Sequence, residues 1–495
     1  MAGLSKRSLA TQYAWALSGQ VAQGIVSLAS VAVIARLLGP ETYGLFALTM
    51  LIAGLAEILV GGHVTDFLVQ KQSVHSGDRN AAFVLTVLFA VVIAAALVLA
   101  APLVGAILGH PEVAALVPAV AVLIVLTAAA NVPTNLIVRE MKFDVLARID
   151  TATALVAFVL GAALAYAGAG IWSLLGMEIA RRTLRLALVS LAERWTPGIF
   201  FRSRNIVELW TFARSRLLAA FFQYLAQATP RLVIQAMLGT QALGYFAVAS
   251  RLFEQATALI TGPLAAVAFP AAARSRDDLG HLRDLLGRAI ATSTLIGWPA
   301  ILGFVVVAPI VIPVLLGPDW VGAVLTVQIL TLSALRASVT GFNGAIILGL
   351  GRADLRMRLN FINAMLGLLL CPIGALAGVE GVAAAMLARA FISWPIGALY
   401  VEHLSGFPMW EQFRIAAISA LPAVAMAFAI EILRRSLEGF AGSLMLGLIL
   451  IACGVVLYAA FWAAFNFRQV PRVARLASSL LSRRRNNNNV EVGGT

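Results

Sequence analysis

The stretch Val33–Ala47, VIARLLGPETYGLFA, returns at an offset of 200 residues as Val233–Ala247, VIQAMLGTQALGYFA. Val33, Ile34, Leu38, Gly39, Gly44, Phe46 and Ala47 are identical to Val233, Ile234, Leu238, Gly239, Gly244, Phe246 and Ala247. Each copy is an apolar run, a glycine-led break and a second apolar run, the pattern of two helices joined by a tight turn. A second match has a slightly larger offset. It pairs Lys142 with Arg352, Asp144 with Asp354, Arg148 with Arg358, and Gly168 with Gly378. The chain is therefore one unit written twice, and whatever encloses the first hairpin encloses the second.

Composition says what that enclosure is. Of 495 residues, 61% are apolar and only 12% charged. A soluble domain carries about 25% charged residues, and a water-facing surface cannot be built from so few. A bilayer removes the need, because there the outside is apolar as well. A helix crosses the hydrocarbon in about 20 residues. That ruler places fourteen spans near 13–38, 42–69, 81–108, 113–138, 149–168, 170–192, 209–237, 242–268, 288–316, 320–348, 359–378, 381–403, 413–433 and 440–465. The expected fold is an all-α polytopic membrane protein. Residues 1–192 form a six-helix lobe, 193–208 a cytoplasmic connector, 209–403 a second six-helix lobe, 404–466 two additional helices, and 467–495 a tail. Six is even, so both lobes point the same way. A parallel repeat of this kind relates the halves by an axis along the membrane normal and puts the substrate site between them.

Charge sets the orientation. Loops after even-numbered spans are basic: Lys71 and Arg79, then Arg139, Lys142 and Arg148, then Arg194, Arg202 and Arg204, then Arg274, Arg276, Arg283 and Arg288, then Arg352, Arg356 and Arg358. Loops after odd-numbered spans are short and nearly free of Lys and Arg, as in Gly39-Pro40-Glu41-Thr42 and Gly317-Pro318-Asp319. Arg434 and Arg435 dissent, with Glu431 and Glu438 beside them to offset the charge. Basic loops stay inside, so both termini are expected in the cytoplasm. The run Tyr13–Leu38 is too long for a signal-peptide core and reads as a retained first helix. The net charge of +13 belongs to these loops and to membrane lipid headgroups. No basic stripe lies on a soluble element, so nucleic acid is not an expected partner.

Enzyme signatures are absent from the sequence. It has no phosphate-binding Gly-x-x-x-x-Gly-Lys-Ser/Thr loop, no His-Glu-x-x-His and no Cys-x-x-Cys. Cys371 and Cys453 lie apart in apolar runs. Asp277-Asp278 is a paired carboxylate in a basic loop, where solvation explains it. The short outer loops could not fold over a sugar, which disfavours a membrane glycosyltransferase or polymerase. No catalytic residue, metal site or cofactor is expected.

The informative residues are charges inside spans. Such charges are costly in lipid and turn towards a partner or an aqueous cavity. Span six carries Glu178, Arg181, Arg182 and Arg185, and Glu178-Ile179-Ala180-Arg181 corresponds to Met386-Leu387-Ala388-Arg389 of span twelve. Arg231 follows Pro230 in span seven, Arg251 and Glu254 lie in span eight, and Arg336 in span ten. Glu57 and Asp66 lie in span two. Guanidinium groups hold phosphate oxygens in a bidentate fork. Arg181, Arg251 and Arg389, with Arg231 and Arg336 behind them, are therefore candidate ligands for an anionic group in a cavity. Glu57, Glu254, Asp66 and Glu178 are candidate charge partners or coupling carboxylates. Each charge also has a structural reading. Arg251 could pair with Glu254 one turn away, and the span-six arginines could reach back to the cytoplasmic face. Pro102, Pro133, Pro230, Pro299 and Pro422 lie inside spans, where each frees a carbonyl and permits bending.

The N-terminal pattern Gly24-x8-Val33-x-Ala35-Arg36-Leu37-Leu38-Gly39-Pro40-x-x-Tyr43-Gly44, repeated as Leu238-Gly239-x4-Gly244-Tyr245-Phe246-Ala247-x-Ala249-x-Arg251-Leu252, resembles the first hairpin of a known family. That family is the Wzx-type bacterial polysaccharide flippases of the multidrug/oligosaccharidyl-lipid/polysaccharide superfamily. The resemblance implies two lobes around a central cavity and alternating access. It implies carriage of an undecaprenyl-pyrophosphate-linked oligosaccharide for lipopolysaccharide or exopolysaccharide synthesis, with a polysaccharide polymerase and export machinery as partners. A proton or sodium gradient would be the energy source. It also implies that cavity arginines, here Arg251, Arg181 and Arg389, hold the pyrophosphate. Many relatives have an acidic residue before the basic one in span seven, where this chain has Pro230-Arg231, so a local pair there must differ. The two extra spans resemble a longer subgroup in which such helices form a lipid-tail groove. The competing expectation is a cation-coupled multidrug exporter, whose cavity would favour carboxylates and aromatics over arginines. The topology is checked with reporters: a green-fluorescent fusion after Thr495 is expected to fluoresce, and alkaline phosphatase fused after Pro318 to be active. The opposite pair of results would invert the chain.

Overall fold

The computed structural model describes the backbone of residues 6–60, 68, 71, 74–198, 203–274, 279–437 and 443–465. Among the described residues every expected span falls on helical structure, span ten on a 3-10 turn and two helices in succession. The helices are α1 (Lys6–Val60), α2 (Ser76–Leu99), α3 (Ala101–Ile107), α4 (Pro111–Arg139), α5 (Phe143–Tyr166), α6 (Ile171–Glu193), α7 (Ser203–Leu238), α8 (Thr240–Arg274), α9 (Leu279–Leu316), a 3-10 turn (Pro318–Ala323), α10 (Val324–Thr340), α11 (Asn343–Gly349), α12 (Ala353–Ala375), α13 (Gly378–Ser405), α14 (Met409–Leu437) and α15 (Ser443–Phe465). Spans one and two are the two arms of α1, which breaks at Gly39 (φ 74°, ψ 171°) just before Pro40. Only glycine adopts that conformation without strain, and Pro40 then restarts the helix at a position that needs no N–H. Span three is split into α2 and α3 at Ala100, two residues ahead of Pro102. Asp66, Asp277, Asp278, Arg202, Arg276, Glu438 and the tail from residue 466 lie outside the described residues.

The internal repeat is present in the backbone as well as in the side chains. Left-handed residues recur at equivalent turns: Gly39 and Gly239, Gly109 and Gly317, Met141 and Gly351, Gly168 and Gly378, Arg194 and Gly406. Turn geometry is thus conserved between halves even where the residue type is not. The chain is a multi-pass membrane protein of two pseudo-symmetric six-helix lobes, α1–α6 and α7–α13. Helices α14 and α15 pack on each other and flank the second lobe at α9.

Among the described residues, ten helical stretches are long and apolar enough to cross a bilayer, the first holding both arms of α1. Helix α6 and the described parts of α7 and α8 are not among them. These are the helices that carry most of the candidate site charges, and each turns charged residues towards the space between the lobes.

The lobes meet through the repeated hairpin itself. A β-carbon on Gly44 would overlap the carbonyl oxygen of Thr240, and one on Gly244 would overlap that of Pro40. The two glycines therefore let two turns touch backbone to backbone. Around them, Trp320 is fully buried and donates from Nε1 to the Ala35 carbonyl at 3.1 Å. Its ring lies edge-on to Tyr43 at 5.9 Å and to Tyr245 at 6.0 Å. Arg36 Nη1 donates to the Val314 carbonyl at 3.0 Å, and His110 Nε2 lies 2.8 Å from Thr240 Oγ1. All these contacts belong to the short turns after odd-numbered spans, so this conformation is sealed at that end.

The glycine contact has a measurable consequence. Gly44→Val and Gly244→Val are each expected to destabilise the detergent-purified protein by about 3 kcal/mol, the upper range for overpacking. Gly287→Ala is expected to change it little, since the nearest atom to its added carbon would be 3.6 Å away. Thermal unfolding of the three variants checks this.

Candidate functional site

Where the lobes part, they enclose a cavity of about 640 Å³ walled by α1, α5 and α6 on one side and α7 and α8 on the other. Four of its described lining residues are arginines, Arg181, Arg182, Arg231 and Arg251, against two carboxylates, Glu178 and Glu254. The sequence-derived candidates Arg181, Arg231, Arg251, Glu178 and Glu254 thus converge on one space. Gln20, Gln23, Ser27, Gln227 and Gln255 add neutral polar groups.

Helix α6 brings the first cluster. Its glutamate and arginines lie three and four residues apart, on one face. Glu178 Oε2 accepts from Arg181 Nη2 at 2.6 Å and lies 3.6 Å from Arg182 Nε. Arg182 crosses to the second arm of α1 and pairs with Glu57, and it also donates to Thr127 Oγ1 of α4. Arg185 pairs with Asp150 of α5 at 2.8 Å. These arginines do not reach back to a membrane face, because α6 continues to Glu193 and each guanidinium has a carboxylate beside it. Three arginines face three carboxylates, so the cluster is balanced and ties α1, α4, α5 and α6 together.

The second cluster lies across the cavity. Arg231 Nη2 is 3.4 Å from Glu254 Oε1. This pair links α7 to α8. Glu254 is thereby drawn away from Arg251. Arg251 instead donates from Nε to Ser27 Oγ of α1 at 3.2 Å, and Gln255 Nε2 approaches the same hydroxyl at 3.3 Å. Arg251 is exposed to the cavity and, among the described residues, makes no ion pair. Among the described residues it is the cavity-lining arginine without a carboxylate partner, and so the first available to a ligand.

Arg389 and Arg336, also expected in the central cavity, line a different one. It measures about 340 Å³ and lies inside the second lobe, walled by α7, α8, α10, α11, α12 and α13. Arg389 Nη1 donates to the Ala226 carbonyl of α7 at 2.7 Å. That carbonyl is the one Pro230 frees, since proline has no N–H to return to residue i−4. Gln227 lines both cavities. Arg356, placed by its sequence position in a loop, also lines the second cavity, because α12 starts at Ala353. Arg182 and Asp150 are the other partners that spacing alone did not single out. The signal for Arg182 was its position four residues after Glu178. Asp66, the remaining candidate, is outside the described residues.

Two apolar spaces adjoin the polar ones. One of about 530 Å³ lies against Leu28, Leu252, Leu259 and Phe304, and shares Gln255 with the central cavity. Another of about 580 Å³ lies between α14 and α15, lined by Leu433, Cys453 and Val456 among others. Arg434 and Arg435, the dissenting charges of the thirteenth span, both pair with Glu431 at 2.7 Å.

Comparison with known proteins gives the site its context. The model of the polysaccharide biosynthesis protein family matches residues 33–325. The chain is 23% identical over 427 residues to the lipopolysaccharide biosynthesis protein WzxC of Escherichia coli (strain K12), covering 83% of this chain and 85% of that protein. It is 24% identical over 334 residues to the succinoglycan biosynthesis transport protein ExoT of Rhizobium meliloti (strain 1021), covering 67% of each. Among solved structures, the lipid II flippase MurJ in an inward closed conformation superposes with a TM-score of 0.75 at 16% identity, over 91% of this chain and 98% of that one. An inward-facing multidrug resistance transporter of the MATE family superposes with a TM-score of 0.53 over 84% of this chain and 96% of that one.

The pairing across the first cluster is tested by a double-mutant cycle. Glu57→Gln and Arg182→Gln are each expected to destabilise by roughly 3 kcal/mol, because each strands a partly buried charge. The double variant is expected to lose clearly less than the sum of the two. Additive losses in thermal unfolding would mean the pair does not act as one unit.

Proposed function

The chain belongs to the polysaccharide biosynthesis protein family, and from that premise we propose that it is a flippase moving an undecaprenyl-pyrophosphate-linked oligosaccharide across the bacterial inner membrane. Both termini would lie in the cytoplasm, and the cargo would serve lipopolysaccharide or exopolysaccharide synthesis. The observation that carries this reading is the net positive cavity between the lobes, with Arg251 uncommitted to any described carboxylate. A sugar-linked pyrophosphate bears a negative charge on each phosphate and cannot enter hydrocarbon bare. Arginine side chains and the glutamines around them replace its water. Arg251 and Arg181 are the proposed pyrophosphate ligands, with Arg231 free to join them if Glu254 releases it.

The apolar space that meets the cavity at Gln255 suits the first part of the polyprenyl chain, and the groove between α14 and α15 suits a longer stretch of it. The relatives' names, lipopolysaccharide and succinoglycan biosynthesis, support a glycan cargo. Alternating access would part the glycine contact at one end of the lobes and close the other. No bond is made or broken in the cargo, so the proposed role is transport without catalysis, driven by a proton or sodium gradient. A polymerase and export machinery would receive the product. The multidrug-exporter reading calls for available carboxylates in the cavity, whereas Glu178 and Glu254 are both held by arginines.

The test is complementation of a deletion strain at matched expression. The wild-type gene is expected to restore surface polysaccharide. Arg251→Ala is expected to reduce it at least tenfold while lipid-linked repeat units accumulate inside. Full activity of Arg251→Ala would remove the arginine site, and an unchanged polysaccharide level in the deletion strain itself would remove the flippase reading.

A further inference from the structure

The two halves of this chain treat their arginines differently. In the first lobe, Arg181, Arg182 and Arg185 are matched by Glu178, Glu57 and Asp150. The repeat shows what stands at the corresponding points of the second lobe. The offset that relates Gly39 to Gly239 takes Glu57 to Thr257. The offset that relates Gly168 to Gly378 takes Asp150 to Asn360. The alignment of Arg181 with Arg389 takes Glu178 to Met386. Each of the three carboxylates is replaced by a neutral residue. Arg181 is kept as Arg389, Arg182 and Arg185 give way to Ala390 and Ser393, and Arg356 stands where the first lobe has Leu146, so the second lobe gathers arginines of its own without the matching carboxylates.

The second-lobe cavity shows the result. Arg336, Arg356 and Arg389 all line it, and none of its described lining residues is acidic. Arg336 lies close enough to the other two to feel their like charges. Room is made for the guanidinium groups: a β-carbon on Gly344 would overlap Arg356, and one on Gly367 would sit 3.1 Å from Arg389 Nη1. Several buried polar atoms of the lining have no hydrogen-bond partner, namely Arg336 Nε, Asn343 Nδ2, Trp394 Nε1 and Thr257 Oγ1. The N–H groups of Arg336 and Trp394 can only donate. Water can satisfy a donor, but it cannot offset three like charges gathered in one cavity of low dielectric.

We propose that the cavity inside the second lobe is an oxyanion site, separate from the cavity between the lobes, in which Arg336, Arg356 and Arg389 bind a phosphate-class group that supplies the negative charge their described surroundings lack. The donors left over, from Trp394 and Asn343, are directed to its oxygens. The shared chemistry admits two sources, a free phosphate ion or the pyrophosphate of a lipid-linked substrate. The volume of about 340 Å³ accommodates either headgroup without its tail.

The test uses the purified full-length protein in phosphate-free buffer, with Arg251→Gln as background so that the central cavity contributes little. Inorganic phosphate is titrated in by calorimetry. The background protein is expected to bind it, and adding Arg336→Gln or Arg356→Gln is expected to weaken binding at least tenfold. Asn360→Asp guards against simple misfolding, because it restores the carboxylate that the first lobe has at Asp150. It is expected to weaken phosphate binding at least tenfold and to raise the melting temperature in phosphate-free buffer. No phosphate binding by the background protein, or undiminished binding after Arg356→Gln or Asn360→Asp, would overturn the site. Undecaprenyl pyrophosphate then assigns the source: displacement of bound phosphate supports a lipid-borne group, and retention supports a free ion. Phosphate binding at this site together with an unchanged surface polysaccharide level in the deletion strain would keep the proposal while removing the flippase reading.

Discussion

A guanidinium group exposed to hydrocarbon costs several kilocalories per mole, and that constraint organises this protein. Helices α6, α7 and α8 carry charges that a lipid-facing helix could not keep, so they can only be interior walls. Once they are interior, their neighbours are fixed by what neutralises them. Glu57 draws the second arm of α1 onto α6 through Arg182, Asp150 draws α5 onto α6 through Arg185, and Glu254 draws α8 onto α7 through Arg231. The cavity between the lobes is the space these polar walls share.

The closed end rests on different physics. Gly44 and Gly244 meet backbone to backbone, Trp320 is wedged between Tyr43 and Tyr245, and His110 reaches Thr240. With Arg36 resting on a carbonyl rather than a carboxylate, these contacts are van der Waals, aromatic and hydrogen-bonded ones, and none of them is an ion pair. Small residues at a helix crossing allow close approach without any group that would be stranded, charged and dry, when the surfaces separate. Opening such a seal exchanges packing for solvation. Opening the ion-paired clusters would leave several charges unpartnered. The protein therefore keeps its strong pairs within each lobe or beside the cavity and its separable contacts at the rim.

Much of this was legible in the sequence, because it depends on composition and period. Span positions follow from hydropathy, and the repeat follows from identities such as Gly39 with Gly239. Convergence of Arg181, Arg231 and Arg251 follows from the cost of charge in lipid. The direction in which each charge faces was less accessible. A helix offers a new azimuth every residue, and Arg389 points into its own lobe although its counterpart Arg181 faces the space between lobes. Arg356 was hidden by a boundary: the apolar run of its span begins near residue 359, but α12 begins at Ala353, so the charge sits on a helix. Spacing suggested that Arg251 and Glu254 would pair with each other. In the fold each found a partner from a different helix, and a local one-turn contact is too weak to compete with tertiary geometry.

The two cavities share one stretch of α7. Pro230 removes the N–H that would bond the Ala226 carbonyl, and Arg389 supplies the missing donor from across the second lobe. Arg231, the next residue after that proline, faces the central cavity, and Gln227, the next after Ala226, lines both. This stretch of α7 is thus held from one side by an arginine of the second-lobe cavity and presents an arginine to the central cavity on the other. A group that drew Arg389 away from Ala226 would leave a buried carbonyl without its donor, at a cost of about 1–3 kcal/mol. Helix α7 cannot repair this itself, because proline has no hydrogen to offer. The carbonyl would instead have to turn towards water or another donor, and Arg231 would move with the helix segment that carries it. Charge in the second-lobe cavity and the geometry of the proposed pyrophosphate site are therefore mechanically linked through four residues of α7.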